Sequence, residues 1–222
     1  MNEQNNNMNL ESKNIKPFTD AEFASCLKND KFDAIQALTD SQAETLAKLD
    51  GYELDLSGLI VITDEQAKIL AKSKRTELRL DGLTSLTVPQ VESLAEYMLL
   101  ILSFGGLTKI SDEVAEALSH CQAERLELNG LKQLSDVQTK WLAQFDSADC
   151  WLTMNGLDEL SDSQAESLSQ FKWKYLILEG ICSLTDAQAE SFSKFKGEYL
   201  RLGLHLSDCS DYQQKLLSKV LF

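Results

Sequence analysis

Apolar and polar positions follow one another along this chain in two alternating rhythms, and the pair recurs seven times. A leucine or isoleucine opens each round, at Leu38, Ile62, Leu86, Ile110, Leu134, Leu160 and Leu184, so the spacing is 24 residues except for one step of 26. A period of this length marks a solenoid of stacked supersecondary units. The first rhythm is helical. Ser or Thr comes first, then as a rule Asp, a variable residue and Gln, as in Thr39–Gln42, Thr63–Gln66, Ser135–Gln138, Ser161–Gln164 and Thr185–Gln188. This is a capping box: the hydroxyl accepts the backbone N–H three residues on and the Gln side chain reaches back. Asp at the first helical position complements the helix dipole. Ala43, Ala67, Ala115, Ala165 and Ala189 then stand three residues before Leu46, Leu70, Leu118, Leu168 and Phe192, which puts both on the inward face of a helix of about two to three turns. Ser111 lacks the reciprocal Gln because Val114 replaces it, which predicts a weaker cap.

The second rhythm has period two. Leu54/Leu56, Leu78/Leu80, Leu102/Phe104, Leu126/Leu128, Leu152/Met154, Leu176/Leu178 and Leu200/Leu202 alternate with variable residues, the signature of a strand with one buried face. Gly58, Gly82, Gly106, Gly130, Gly156 and Gly180 follow the strands and are expected at turns needing unusual backbone angles; the seventh unit has Leu204 there, so its exit should differ. Strands stack at ~4.8 Å while helices need ~10 Å. The mismatch predicts an arc with a parallel sheet on its concave side and short helices on its convex side.

The ends depart from the period. Residues 1–16, rich in Asn and Glu, are expected to be a disordered tail without a signal peptide. Residues 17–37 read as a degenerate repeat that caps the N-terminal end, residues 38–205 as seven repeats, and residues 206–222 as a capping helix started by Ser210-Asp211-Tyr212-Gln213. The unit opened by Leu134 holds two extra residues around Asp146–Cys150, and Tyr97 to Leu102 is an unusually apolar run, read either as an over-hydrophobic strand or as a second contact spot through Ile101 with Leu99.

A strand of LxLx, a turn and a helix reading TDEQAKILA resembles the leucine-rich repeat family, in its short bacterial or ribonuclease-inhibitor-like form. The resemblance covers residues 38–205 and implies a right-handed α/β solenoid that binds proteins on its concave sheet face. In one respect the chain departs from the pattern. The family follows LxLxx with Asn or Cys, whose side chain bonds the turn backbone; here Leu59, Leu83, Leu107, Leu131, Leu157 and Ile181 stand there. The side-chain ladder is therefore expected to be absent, with these residues packed inward.

Net charge is −14, which disfavours nucleic acid and anionic membranes as partners and suits either a basic partner or colloidal solubility. Five cysteines, Cys26, Cys121, Cys150, Cys182 and Cys209, show no CxxC spacing, so they are expected as free thiols in a reducing compartment, with Cys121 a core residue. His120 and His205 are the only histidines and lie in no metal-ligand spacing. The Asp series at helix starts reads as dipole complement, since one carboxylate per repeat does not assemble a calcium site. There is no phosphate-binding glycine loop or nucleophile elbow, and neither cofactor nor enzymatic activity is expected.

Function is then sought where the repeats differ. The outward strand positions are Glu53, Asp55, Glu77, Arg79 and Asp81 in the first two strands, and Trp151, Tyr175, Tyr199, Ile177 and Arg201 in the last three. The first group is mostly acidic; the second sets three aromatics in one column. That column reads either as a protein-binding hot spot or as a stabilising cross-strand ladder. The sequence thus points to a cytoplasmic, monomeric, non-catalytic module that binds a protein on its concave face. Two other readings stand beside it: a structural protein stacking through its ends, and a bacterial effector acting on a host protein.

Overall fold

The computed structural model of the chain describes residues 16–96, 99–144, 150–171 and 174–220. The tail as far as residue 15, Tyr97 and Met98 of the apolar run, residues 145–149 of the insertion, Trp173 and the last two residues lie outside this description. Helix α1 spans Asp20–Asn29 and α2 Asp40–Ala47; strand β1 (Glu53–Asp55) follows. Then come α3 (Asp64–Ala71), β2 (Glu77–Arg79), α4 (Val88–Ala95), β3 (Ile101–Ser103), α5 (Asp112–Ser119) and β4 (Arg125–Glu127). The last units are α6 (Asp136–Ala143), β5 (Trp151–Thr153), α7 (Asp162–Ser169), β6 (Tyr175–Leu178), α8 (Asp186–Phe192) and β7 (Tyr199–Leu202). A 3₁₀ turn over Leu206–Asp208 leads into α9, Asp211–Leu217.

The seven strands form one open parallel sheet in sequence order. The register is constant: Glu53, Glu77, Ile101, Arg125, Trp151, Tyr175 and Tyr199 are successive partners. The two extra residues before β5 therefore leave the pairing in step. Each helix from α2 onward packs on the next, so helices form a layer on one side of the sheet. Between the layers lies a single core running from Phe23 to Leu217. Leu59, Leu83, Leu107, Leu131, Leu157 and Ile181 are within it, each worth roughly 1.5–3 kcal/mol when fully buried. Cys121 is buried there too, and so is Leu99, which leaves only half-buried Ile101 for the second contact spot expected in that stretch.

Two side-chain ladders tie the repeats together, both at positions other than the Leu59-to-Ile181 slot. On the helix side each Gln of the capping box uses its second arm. While its Oε1 accepts from the cap backbone, its Nε2 donates to a carbonyl one repeat earlier: Gln42 to Phe18, Gln66 to Leu38, Gln90 to Ile62, Gln138 to Ile110, Gln164 to Leu134, Gln188 to Leu160 and Gln213 to Leu184, at 2.5–3.0 Å. These glutamines, mostly buried, satisfy backbone carbonyls that would otherwise be costly to bury. On the sheet side, Asp81, Asn129 and Asn155 accept the backbone N–H of Gly105, Asn155 and Glu179 in the following unit. This ladder sits two positions before the family's Asn slot, in Asp81, Asn129 and Asn155 rather than Leu83, Leu131 and Leu157. The first Asp of a helix also does more than face the dipole: Asp64, Asp112, Asp136 and Asp162 accept from the next cap hydroxyl at 3.0–3.1 Å.

The turn glycines are required for a different reason than expected. None of Gly58 to Gly180 in that series has positive φ; only Gly51 does. A Cβ on Gly106 would sit 2.1 Å from the Asp81 carbonyl oxygen, and on Gly130 2.1 Å from that of Gly105. Close stacking of one turn on the previous one excludes a side chain. In the last unit Gly203 makes that approach, 1.9 Å from the Glu179 oxygen.

Candidate functional site

The face of the sheet turned away from the helices carries both the charged group of the first two strands and the aromatic group of the last three. Its N-terminal part is an internally paired charge network. Arg79 on β2 bonds Glu53 on β1 through Nε and reaches across β3 to Glu127 on β4, 3.2 Å away. Ser103, the β3 residue between them, is small enough to be spanned, and its hydroxyl donates to Asp81 at 2.6 Å. Partial burial works against the Arg79 charge; Glu53, Glu127 and Asp81 more than offset it, so the guanidinium is held above its ordinary range. Asp55 accepts from the backbone N–H and hydroxyl of Ser57.

This packing alters the expected solvent-facing surface. Glu77 is 7 % exposed and Glu127 6 %. The Glu77 carboxylate accepts from the Tyr52 hydroxyl, which raises the Tyr52 phenol, and it lies 3.9 Å from Arg79. Of the acidic residues expected to face a partner, Glu53, Asp55 and Asp81 keep solvent access and Glu77 does not.

The C-terminal part is aromatic. Trp151 on β5, Tyr175 on β6 and Tyr199 on β7 are direct register partners. Ring centroids lie 3.9 Å apart for Trp151–Tyr175, tilted by 32°, and 5.3 Å apart for Tyr175–Tyr199, tilted by 51°. On the β4 side the Arg125 guanidinium lies 5.5 Å from the Trp151 ring centroid and 2.7 Å from Glu127. All three rings remain half-exposed, as does Ile177. Arg201 pairs with Glu179 at 2.7 Å and is exposed. Trp151, Tyr175, Ile177, Tyr199 and Arg201 are thus one contiguous patch over three strands. Beneath it Thr153 is buried with no partner for its hydroxyl.

Arg75 was not legible as anything but a variable position. It is 6 % exposed, pairs with Asp30, donates to the Glu53 carbonyl and stacks 5.5 Å from the Phe32 ring. The residue ties the segment after α1 to the edge of β1. Beyond the end of β1 the N–H of Ile60 donates to the Gln36 carbonyl.

Among the described residues no group of three or more His, Cys, Asp or Glu side chains could hold a metal ion, and no helix is long and apolar enough to cross a membrane. No family model matches the chain, and no curated protein matches it.

Proposed function

We propose that this chain is a leucine-rich-repeat-like, non-catalytic module that takes a protein partner on the open face of its sheet, centred on β5 to β7. The observation that carries this reading is the column of Trp151, Tyr175 and Tyr199, three large aromatics on a surface that the repeat leaves unspecified. Tyr, Trp and Arg dominate binding hot spots, and Ile177 and Arg201 complete the patch. Mutual stacking supports the reading as well as the alternative of a stability ladder. Rings already fixed against each other lose little rotamer freedom on binding.

Glu53, Asp55 and Asp81 lie on the same face and favour a partner whose opposing end is basic. The acidic balance of the chain disfavours nucleic acid and anionic membranes. Free thiols fit a reducing compartment, the cytoplasm of the source cell or of a host that receives the protein.

The test is quantitative affinity capture from the native cell with the wild type and with Trp151→Ala, Tyr175→Ala and Tyr199→Ala combined. The combined variant must retain its circular dichroism and a folded melting transition. Loss of a specific partner by at least about tenfold is expected, because truncated hot spots cost ~2 kcal/mol or more. Undiminished capture by the folded variant would overturn the reading.

A further inference from the structure

The helix layer has one seam unlike the others. At every junction from α2 to α9 but one, a side chain of the later unit bonds the first Asp of the earlier helix: a cap hydroxyl in four cases, Gln66 to Asp40 and Gln213 to Asp186 in the other two. Between α4 and α5 that Asp is replaced by Val88, and the Gln of the ladder by Val114. Both rungs are missing at the same junction, and the Leu86 carbonyl lacks the Gln donor that its counterparts have.

A groove of about 790 Å³ opens along this seam. Val88 of α4 and Ala95 and Ala117 from the two helices supply its apolar floor. Its rim is mainly carboxylate: Glu92 and Glu96 on one side, Glu113 and Glu116 on the other, all exposed, with His120 and Gln122 at the end where α5 closes. Glu113 is held low by hydrogen bonds to its own backbone N–H and the Ser111 hydroxyl. No lysine or arginine among the described residues pairs with any of the four. On the two preceding helices the same face is balanced, with Lys68 beside Glu65 on α3 and Lys48 beside Glu44 on α2. Glu92 and Glu96 stand where the preceding repeat has Lys68 and Lys72.

We propose that this groove is a second docking surface, on the side opposite the sheet face, and that it takes a lysine- or arginine-bearing helical segment of a protein partner. Two parallel helices with small residues between them form a trough for a third helix. An aliphatic side chain of the occupant rests on Val88 and the two alanines, and its flanking cations meet the rim carboxylates. Four carboxylates with no lysine or arginine partner among the described residues, set about an apolar floor, favour that charge and disfavour an acidic or neutral segment.

The repeat itself supplies variants that keep the fold. Glu92→Lys with Glu96→Lys copies the preceding repeat. Glu159→Lys with Glu166→Lys copies Lys109 and Lys140 and changes net charge equally, away from the groove. The probe is a labelled amphipathic helical peptide with lysines flanking a leucine stripe, read by fluorescence anisotropy at physiological salt. A twin with glutamate in place of lysine serves as the control ligand. The wild type is expected to bind the lysine peptide and not its twin. The groove variant should lose at least about tenfold in affinity, and the control variant less than about threefold. Absence of binding by the wild type, or equal losses in both variants, would overturn the proposal. Binding unchanged by Tyr199→Ala separates this surface from the open sheet face.

Discussion

Cys121 shows how a single side chain reports its surroundings. Burial pushes its thiol up to about 11, whereas an exposed thiol ionises near ~8.5. Between those values the unfolded chain gives up its proton and the folded chain does not. The stability contributed by the neutral buried thiol is therefore fully present below ~8.5 and is lost as pH rises through about 11. Alkylation by iodoacetamide at pH ~8 should modify exposed Cys182 quickly. Cys121 and Cys150 should react only when denaturant unfolds the chain, as mass spectrometry of peptides would show. Fast native labelling of Cys121 would contradict the core placement. The repeat made this residue readable, because its slot holds large apolar side chains in sister units. Arg75 and Glu77 were not readable. Their burial depends on partners 45 and 25 residues away, Asp30 and Tyr52, which no local pattern announces.

At the scale of the element, the glutamines carry the account. Gln90→Val would leave the Ile62 carbonyl and the Thr87 N–H without partners, a cost of roughly 1–3 kcal/mol. Val114→Gln should act in the opposite sense, closing the open rung to Leu86 and stabilising by about 1 kcal/mol. Paired urea denaturation curves of the two variants and the wild type check both signs; a Gln90→Val midpoint equal to wild type would remove the ladder from the account. Strands, helices and their caps were legible in the sequence because each obeys a period set by its own geometry. The ladders were not. A Gln three residues after a cap looks the same whether or not its amide also reaches the previous repeat. The glycines misled for a related reason, since a turn with positive φ and a turn pressed against its neighbour call for the same residue. The open face was legible in its alternation and in its aromatic column. Its buried polar half was not, because Arg79 acts across two strands at once.

For the whole molecule, the two ends of the solenoid do not match. The segment after α1 stacks on the turn that follows β1, with Gly58 so close that a Cβ would lie 2.2 Å from the Asp33 carbonyl oxygen. The far end is closed over its helices by α9, whose Tyr212 hydroxyl bonds Glu190. Head-to-tail stacking needs two open, complementary ends, and a formal charge of −14 opposes association further. Light scattering is expected to give a mass near 24.9 kDa across a wide concentration range, and a mass that climbs with concentration would favour the stacking alternative. Subtracting the period assigns the Leu, Gln, Asp and Gly ladders to architecture. It leaves the column on β5 to β7 as the surface we propose to give this solenoid its specificity. Hydroxyl-radical footprinting of the protein alone and in complex with its captured partner tests that claim most directly. Side-chain oxidation of Trp151, Tyr175 and Tyr199 should fall several-fold on binding, while Tyr212 on α9 and Trp141 on α6 react as before. Unchanged oxidation of the column, with protection only at other positions, would contradict it.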